Sequence, residues 1–205
     1  MTEHELQHIA AGFTHEAFGS QAVFRTVMDA LSHPGRPLVV PIQCELPHKG
    51  QPAAAVILLS LLDADTRLWL SPTLVSSDAE QWLRFHTGCI IVKDISEAHF
   101  VWVALGDNLP ALSSLRPGSD AYPDQSATCI IETLTLQADI AGWILNGPGI
   151  PKQRLLQVTG LAPHFTHAWQ NNHASFPRGV DVLLTTPTHL VGLPRTTRLE
   201  NSPEA

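Results

Sequence analysis

Residues 53 to 62 read AAAVILLSLL, ten positions that are apolar nearly all round with Ser60 the one polar member. A helix on a protein surface carries an apolar stripe and a polar face, so a segment with no polar face has to be sandwiched inside the protein. It is far too short to cross a bilayer, which takes about 20 apolar residues. Pro52 suits a first helical turn, and frequent alanine over a length unusual for a strand favours helix. The chain must therefore build layers on both sides of this segment. Its 205 residues suffice for one sizeable core, and a single domain over 1–205 is expected, with 1–12 and 196–205 as flexible ends.

Other segments supply the layers. Ser20 can cap a helix in which Val23, Phe24, Val27, Met28 and Leu31 recur at helical spacing, stopped by His33-Pro34-Gly35. Leu38-Val39-Val40 and Arg67–Leu70 read as strands, and Ser77 with Glu80 forms a capping box before Trp82, Leu83 and Phe85. Gly88 closes that helix. Cys89–Val92 and Phe100–Ala104 are buried-strand runs, and a long polar loop fills 106–125. Thr128–Leu136 and Ile140–Leu145 look like an antiparallel hairpin turning near Asp139. A mixed segment over 151–160 and a helix from Pro163 to about His173 follow, then strands at Val180–Thr185 and His189–Leu193 and a polar tail from Pro194. Alternating helices and strands point to an α/β layered domain with a mixed sheet.

A net charge of −7, with nine Arg and three Lys scattered along the chain, argues against general nucleic-acid binding. Met1–His8 lacks the basic start and apolar core of a secretory signal, so a cytoplasmic protein away from membranes is expected. Only 15% of residues are charged, which suits either a partner-covered surface or a polar uncharged one. Cys44, Cys89 and Cys129 stand about forty residues apart and read as reduced buried thiols. His164, His167 and His173 could share a helix face, but no carboxylate or thiol accompanies them, and no metal is assigned.

The segments able to carry chemistry are few. Gly147-Pro148-Gly149-Ile150 follows a strand, where Gly147 and Gly149 serve either a tight turn or a backbone cradle for phosphate. Neither the third glycine of a dinucleotide fold nor the Lys-Ser/Thr of a nucleotide-hydrolase loop is present. Pro194-Arg195-Thr196-Thr197-Arg198 is donor-rich: Arg195 and Thr196 could hold phosphate oxygens, or the segment is a solvated tail. Asp181, after Gly179-Val180, could act as a base, fix an arginine or cap a turn. Arg25 emerges beside an apolar stripe, can pair with Asp29, and is the candidate interface residue. No nucleophile or set of catalytic residues can be named.

Gly12-Phe13, Ser20-Gln21, Phe24-Arg25, Ala30, Pro34-Gly35, Leu61-Leu62-Asp63, GPGI at 147–150, FPRGVD at 176–181 and PRTT at 194–197 occur in an order and spacing that resemble the PhnH family, a subunit of the bacterial carbon-phosphorus lyase core complex. The resemblance implies a three-layer α/β/α domain with a mixed sheet, similar to the large domain of PLP-dependent transferases but without PLP or any other cofactor. It implies a non-autonomous subunit working with PhnG, PhnI, PhnJ and PhnL in phosphonate catabolism. The reaction is transfer of the ribose triphosphate moiety of ATP to an alkylphosphonate, giving ribose 1-methylphosphonate 5-triphosphate. It implies a homodimer when isolated, and it leaves room for a phosphonate or nucleotide ligand. The alternative is a stand-alone phosphate- or nucleotide-binding protein on a degenerate PLP-transferase fold.

Overall fold

The computed structural model describes residues 10–202; of the expected flexible ends, 1–9 and 203–205 lie outside the described residues. In chain order the elements are α1 (Glu16–Ser32), β1 (Leu38–Val39), α2 (Pro52–Leu61), β2 (Arg67–Leu70), α3 (Asp78–Thr87), β3 (Ile90–Ile91), β4 (Phe100–Val103) and β5 (Thr128–Glu132). Then come β6 (Thr135–Asn146), β7 (Arg154–Thr159), α4 (Phe165–Ala174), β8 (Asp181–Thr185), β9 (His189–Leu193) and β10 (Arg198–Asn201).

A seven-stranded mixed sheet runs in the order β1-β9-β8-β5-β4-β2-β3. The five strands from β8 to β3 are parallel neighbours, while β9 and β1 are added antiparallel at one side. Strands buried on both faces are apolar throughout rather than alternating, and here the two-residue period sorts them into two cores. Trp102, Ile130, Leu183 and Leu190 face one side, where α1, α2 and α3 cover them. Val101, Val103, Cys129, Ile131, Val182, Leu184 and Val191 face the other. Residues 53 to 58 of α2 are all buried, as the all-apolar segment requires. At Gly192 the sheet touches α1 directly, since a Cβ there would stand 2.5 Å from the Ala30 carbonyl oxygen.

The second face carries a smaller antiparallel sheet, β10-β6-β7, together with α4. Trp143, Leu145, Leu156 and Leu199 from the sheet and Phe165 and Trp169 from α4 fill the second core. The fold is thus α/β with a mixed sheet, but its far layer is mostly strand, because 135–146 and 154–159 are extended where inward and outward residues alternate.

Several expectations change. Residues 128–136 and 140–145 do not pair as a hairpin: β5 lies between β4 and β8, and 135–146 form one long strand. Asp139, expected at the turn, does take a left-handed φ of 60°, but inside β6, where the pairing with β7 shifts between Ala138 and Trp143. A bulge and a turn demand the same backbone freedom, so the local signal was shared. The 106–125 loop holds two single 3₁₀ turns, at Leu112–Ser114 and Pro123–Gln125. The polar tail contributes β10. Helix α1 starts at Glu16, four residues before Ser20, whose hydroxyl instead meets Ser60 of α2 at 3.4 Å. The buried stripe of α1 is Gly19, Val23, Val27 and Ala30, which leaves Phe24 and Met28 exposed. The Ser77 hydroxyl does accept from Glu80 N, and Gly88 closes α3 at φ 73°.

Candidate functional site

Four islands of the family pattern, Pro34-Gly35, GPGI at 147–150, FPRGVD at 176–181 and PRTT at 194–197, meet at one corner of the molecule, while Gly12-Phe13, Ser20 and Leu62-Asp63 border a separate pocket beside His86. Gly149, at φ 80°, abuts the end of α1, and a Cβ there would come 2.2 Å from the Ser32 carbonyl oxygen. Gly147, at φ 139°, lies against Thr196, with its added Cβ 2.9 Å from that carbonyl. Ile150 N donates to Gly147 O, closing the turn. From β7, the Arg154 guanidinium donates to the Pro34 and His33 carbonyls at 2.7 and 3.2 Å, satisfying the frayed end of α1. The glycine segment is therefore a wedge between the α1 terminus and the Pro194–Thr197 turn.

Asp181 and Arg195 form the polar centre of this corner. The Asp181 Oδ1 accepts from Arg195 N at 2.8 Å and Nε at 3.2 Å, and Oδ2 accepts from Nη2 at 2.6 Å. The guanidinium also donates to Pro123 O and to the Ser126 hydroxyl. Both side chains are mostly buried. A guanidinium has five N–H donors, and four here are directed at groups of the fold, so Arg195 ties the end of β9 to the 3₁₀ turn at Pro123.

Helix α4 is fixed to the same corner. The buried Asn172 side chain accepts from Val180 N and donates to Val180 O, at 2.8 and 2.9 Å, as a strand partner would. Trp169 Nε1 donates to Thr197 O at 2.8 Å. These contacts place His173 beside the turn, where its Nδ1 bonds to Arg195 O at 2.9 Å. His167 Nδ1 points instead towards Asn171, and among the described residues no three His, Cys, Asp or Glu converge to hold a metal ion. Gly147, Pro148, Thr196, His173, Phe176 and Arg198 line an open groove of about 370 Å³. Of the proposed ligand residues, Gly147 and Thr196 border this groove, while Asp181, Arg195 and Gly149 lie among the packing contacts behind it.

Arg25 stands exposed on α1. The expected pairing with Asp29 does not form, because Asp29 turns to Arg36 and to His33. Phe18, Phe24 and Met28 flank Arg25 at 78%, 47% and 52% exposure, and Val39 of the neighbouring edge strand β1 is exposed too.

A second polar cluster lies at the carboxyl edge of the parallel strands, where open α/β sheets place their sites. Glu132, the last residue of β5, is buried and accepts from Gln51 N at the start of α2, from Trp102 Nε1 at 3.0 Å and from Leu105 N at 2.9 Å. Burial raises its carboxyl pKa above the ordinary value despite those three donors, and nearby Asp107 adds to the rise. Sequence reasoning passed over Glu132; the available signal was an acid at the end of the apolar run CIIE. Burial likewise pushes the Cys44 thiol up to about 11 and raises Cys89 and Cys129, and all three are unpaired thiols.

Comparison with known proteins joins these observations. The family model described as bacterial phosphonate metabolism protein (PhnH) matches residues 11–200. The chain is 34% identical over 194 residues to a protein of Rhizobium meliloti (strain 1021) named alpha-D-ribose 1-methylphosphonate 5-triphosphate synthase subunit PhnH, covering 95% of this chain and 96% of that one. It is also 32% identical over 179 residues to HtxG of Stutzerimonas stutzeri, named as a candidate C-P lyase subunit, covering 87% and 85% of the two chains. With the family pattern spanning almost its whole length, this chain belongs to the PhnH family of bacterial phosphonate metabolism proteins.

Proposed function

We propose that this chain is a subunit of a carbon-phosphorus lyase system in phosphonate catabolism, required with PhnG-, PhnI- and PhnL-type subunits for moving the ribose triphosphate of ATP onto an alkylphosphonate. The observation that carries the reading is near full-length similarity to a protein named as a subunit of that synthase. The role is a docking and positioning one within an assembly that also includes a PhnJ-type subunit. In support, the strongest charged pair of the family corner, Asp181 with Arg195, is engaged in holding the fold. Arg25 and the apolar residues around it form the docking face; α1 presents them outward beside the edge strand β1, and grouped exposed apolar side chains mark interaction surfaces. In isolation the same face pairs two copies as a homodimer. The layered body is a PLP-transferase-like scaffold that works without pyridoxal phosphate, in the cytoplasm. Lys49, Lys93 and Lys152, the side chains able to form its Schiff base, are all exposed, with Lys93 at the rim of an open pocket of about 810 Å³. No helix among the described residues is long and apolar enough to cross a membrane.

The test is co-expression with the PhnG-, PhnI-, PhnJ- and PhnL-type subunits, followed by adenine release from ATP and methylphosphonate with and without this chain. The chain should co-purify, and omitting it should stop release. A Phe24→Asp, Met28→Asp variant should stay folded yet fail to enter the assembly. Unchanged adenine release without the chain, or failure of the wild-type chain to join, overturns the reading.

A further inference from the structure

The seven-stranded sheet ends at β3, and no strand lies beyond it among the described residues. Ile90 N and Val92 N donate to Thr66 O and Leu68 O on the β2 side. Strand alternation therefore turns the Ile91 N–H and C=O away from the sheet, where no strand receives them. The open groove of about 810 Å³ runs beside this edge. Ser76, Glu80, Arg84 and Gly88 recur every four residues along α3 and its two ends, which puts them on one stripe facing the groove, while residues 89–93 line it from the strand side. Its apolar surface includes Trp69 and Ile91, both half-buried, and Val75 and Ile90 at 49% and 48% exposure. The charges left facing it are positive, since Arg84 and Lys93 are exposed. The acid of the lining, Glu80, is engaged in the helix cap: its Oε2 accepts from Ser76 N at 2.7 Å, and its Oε1 lies 3.7 Å from Arg84. Asp94, next to Lys93, turns to the Ser96 N and Oγ at 2.9 and 2.7 Å.

We propose that this edge is a second docking site, taking an extended acidic segment of a partner subunit as an added strand beside β3. The segment's main chain bonds to Ile91, alternate apolar side chains enter the groove, and its carboxylates meet Arg84 and Lys93. The proposal rests on the subunit reading for the partner and adds to it the place and the kind of segment. Because β3 is two residues long, main-chain bonds alone hold little, and the groove supplies the side-chain contacts that so short a strand lacks. The charges decide the occupant: on a chain of net charge −7, this groove presents two cations against one acid already bonded to its own helix cap. A second copy of this chain fits less well, because pairing β3 with β3 about a two-fold axis lines Arg84 and Lys93 of both chains along one seam. β3 and β1 are opposite ends of the sheet, so the site is separate from the Phe24–Met28 face beside β1.

The test compares the free full-length protein with the assembly co-purified with PhnG-, PhnI-, PhnJ- and PhnL-type subunits. Hydrogen exchange at the Ile91 amide should slow by tenfold or more on assembly, while the Ile90 and Val92 amides, already bonded to the β2 side, should be slow in both. A zero-length carbodiimide crosslinker, which joins an amine to a carboxylate, should link Lys93 to an Asp or Glu of another subunit. The double variant Arg84→Glu, Lys93→Glu should weaken entry into the assembly by tenfold or more. It changes two exposed side chains, and an unaltered thermal midpoint establishes that it folds. Ile91→Pro should weaken entry too, since it removes an outward N–H, a change that an edge strand tolerates. Where that variant melts early, the charge reversal decides. An Ile91 amide that exchanges equally fast in both states, or full-strength assembly of the charge-reversed variant, overturns the proposal and leaves the subunit reading standing. A Lys93 crosslink formed only with another copy of this chain overturns it in favour of self-pairing. A wild-type chain that joins no assembly overturns the subunit reading and this proposal with it.

Discussion

Gly149 and Ser32, 117 positions apart in sequence, touch so closely that the carbonyl of Ser32 occupies the place a Gly149 side chain would need, 2.2 Å from its Cβ. The contact explains why a glycine stands there: a left-handed φ of 80° and backbone at van der Waals range each exclude a side chain. Gly149→Ala is expected to lose about 3 kcal/mol or more, as left-handed strain adds to a clash with backbone that cannot rotate away. Urea denaturation measures it, and a loss under about 1 kcal/mol would mean that the α1 terminus is not seated on this loop.

Arg195 and Asp181 are expected to behave as one unit. Removing either leaves a charge stranded in a mostly buried setting, a loss of about 3 kcal/mol. The double variant Asp181→Ala, Arg195→Ala should lose much less than the sum of the two, with a coupling above about 1 kcal/mol. Arg195→Lys should rescue little, since an ammonium cannot reach both Asp181 oxygens, Pro123 and Ser126 together. Additive losses in denaturant melts would show that the pair is not a structural clamp.

Thr197 offers the opposite case. It is completely buried, its backbone accepts from Trp169, and its hydroxyl has no partner among the described residues. Valine keeps the shape and removes the unsatisfied group, so Thr197→Val is expected to raise stability by about 1 kcal/mol. A fall of that size would point to a hydrogen bond through water.

The elements whose sequence carried a period emerged where expected: α2 from its unbroken apolar run, α3 from Ser77 and Gly88, and the buried strands at 100–103 and 181–185. What the sequence could not convey was which neighbour each strand takes. The long strand β6 carries its signal in two pieces separated by Asp139, and the same residue suits a hairpin turn or a bulge. On α1 the period was right and the phase wrong, since Phe24 and Met28 are as apolar as Val23 and Val27 but lie outside the stripe centred on Gly19 and Ala30. Glycine and alanine mark the face where a helix approaches a sheet, and a reading weighted by size puts the large residues inside. At the corner site, Gly147 and Thr196 could be picked out from turn chemistry, but that they border one groove with His173 shows only once α4 is brought beside the Pro194–Thr197 turn.

Glu132 should make stability depend on pH in the direction opposite to that of most carboxylates. Burial raises its folded pKa above the ordinary value of 4.5, so the folded state holds the proton more tightly than the unfolded chain. The advantage is complete below that ordinary value, declines as pH rises through it, and is gone once pH passes the folded pKa. In Glu132→Gln this decline should vanish, leaving a flatter curve above about pH 4.5. At acid pH the variant should be less stable than the wild type, because a single carbonyl oxygen cannot accept from Gln51, Trp102 and Leu105 together and an amide N–H would face one of these donors. The gap should narrow towards pH 8, where the wild type carries the buried charge. Urea midpoints taken from pH 4 to pH 8 read both curves; parallel curves for the two proteins would mean that Glu132 titrates as an ordinary exposed carboxylate.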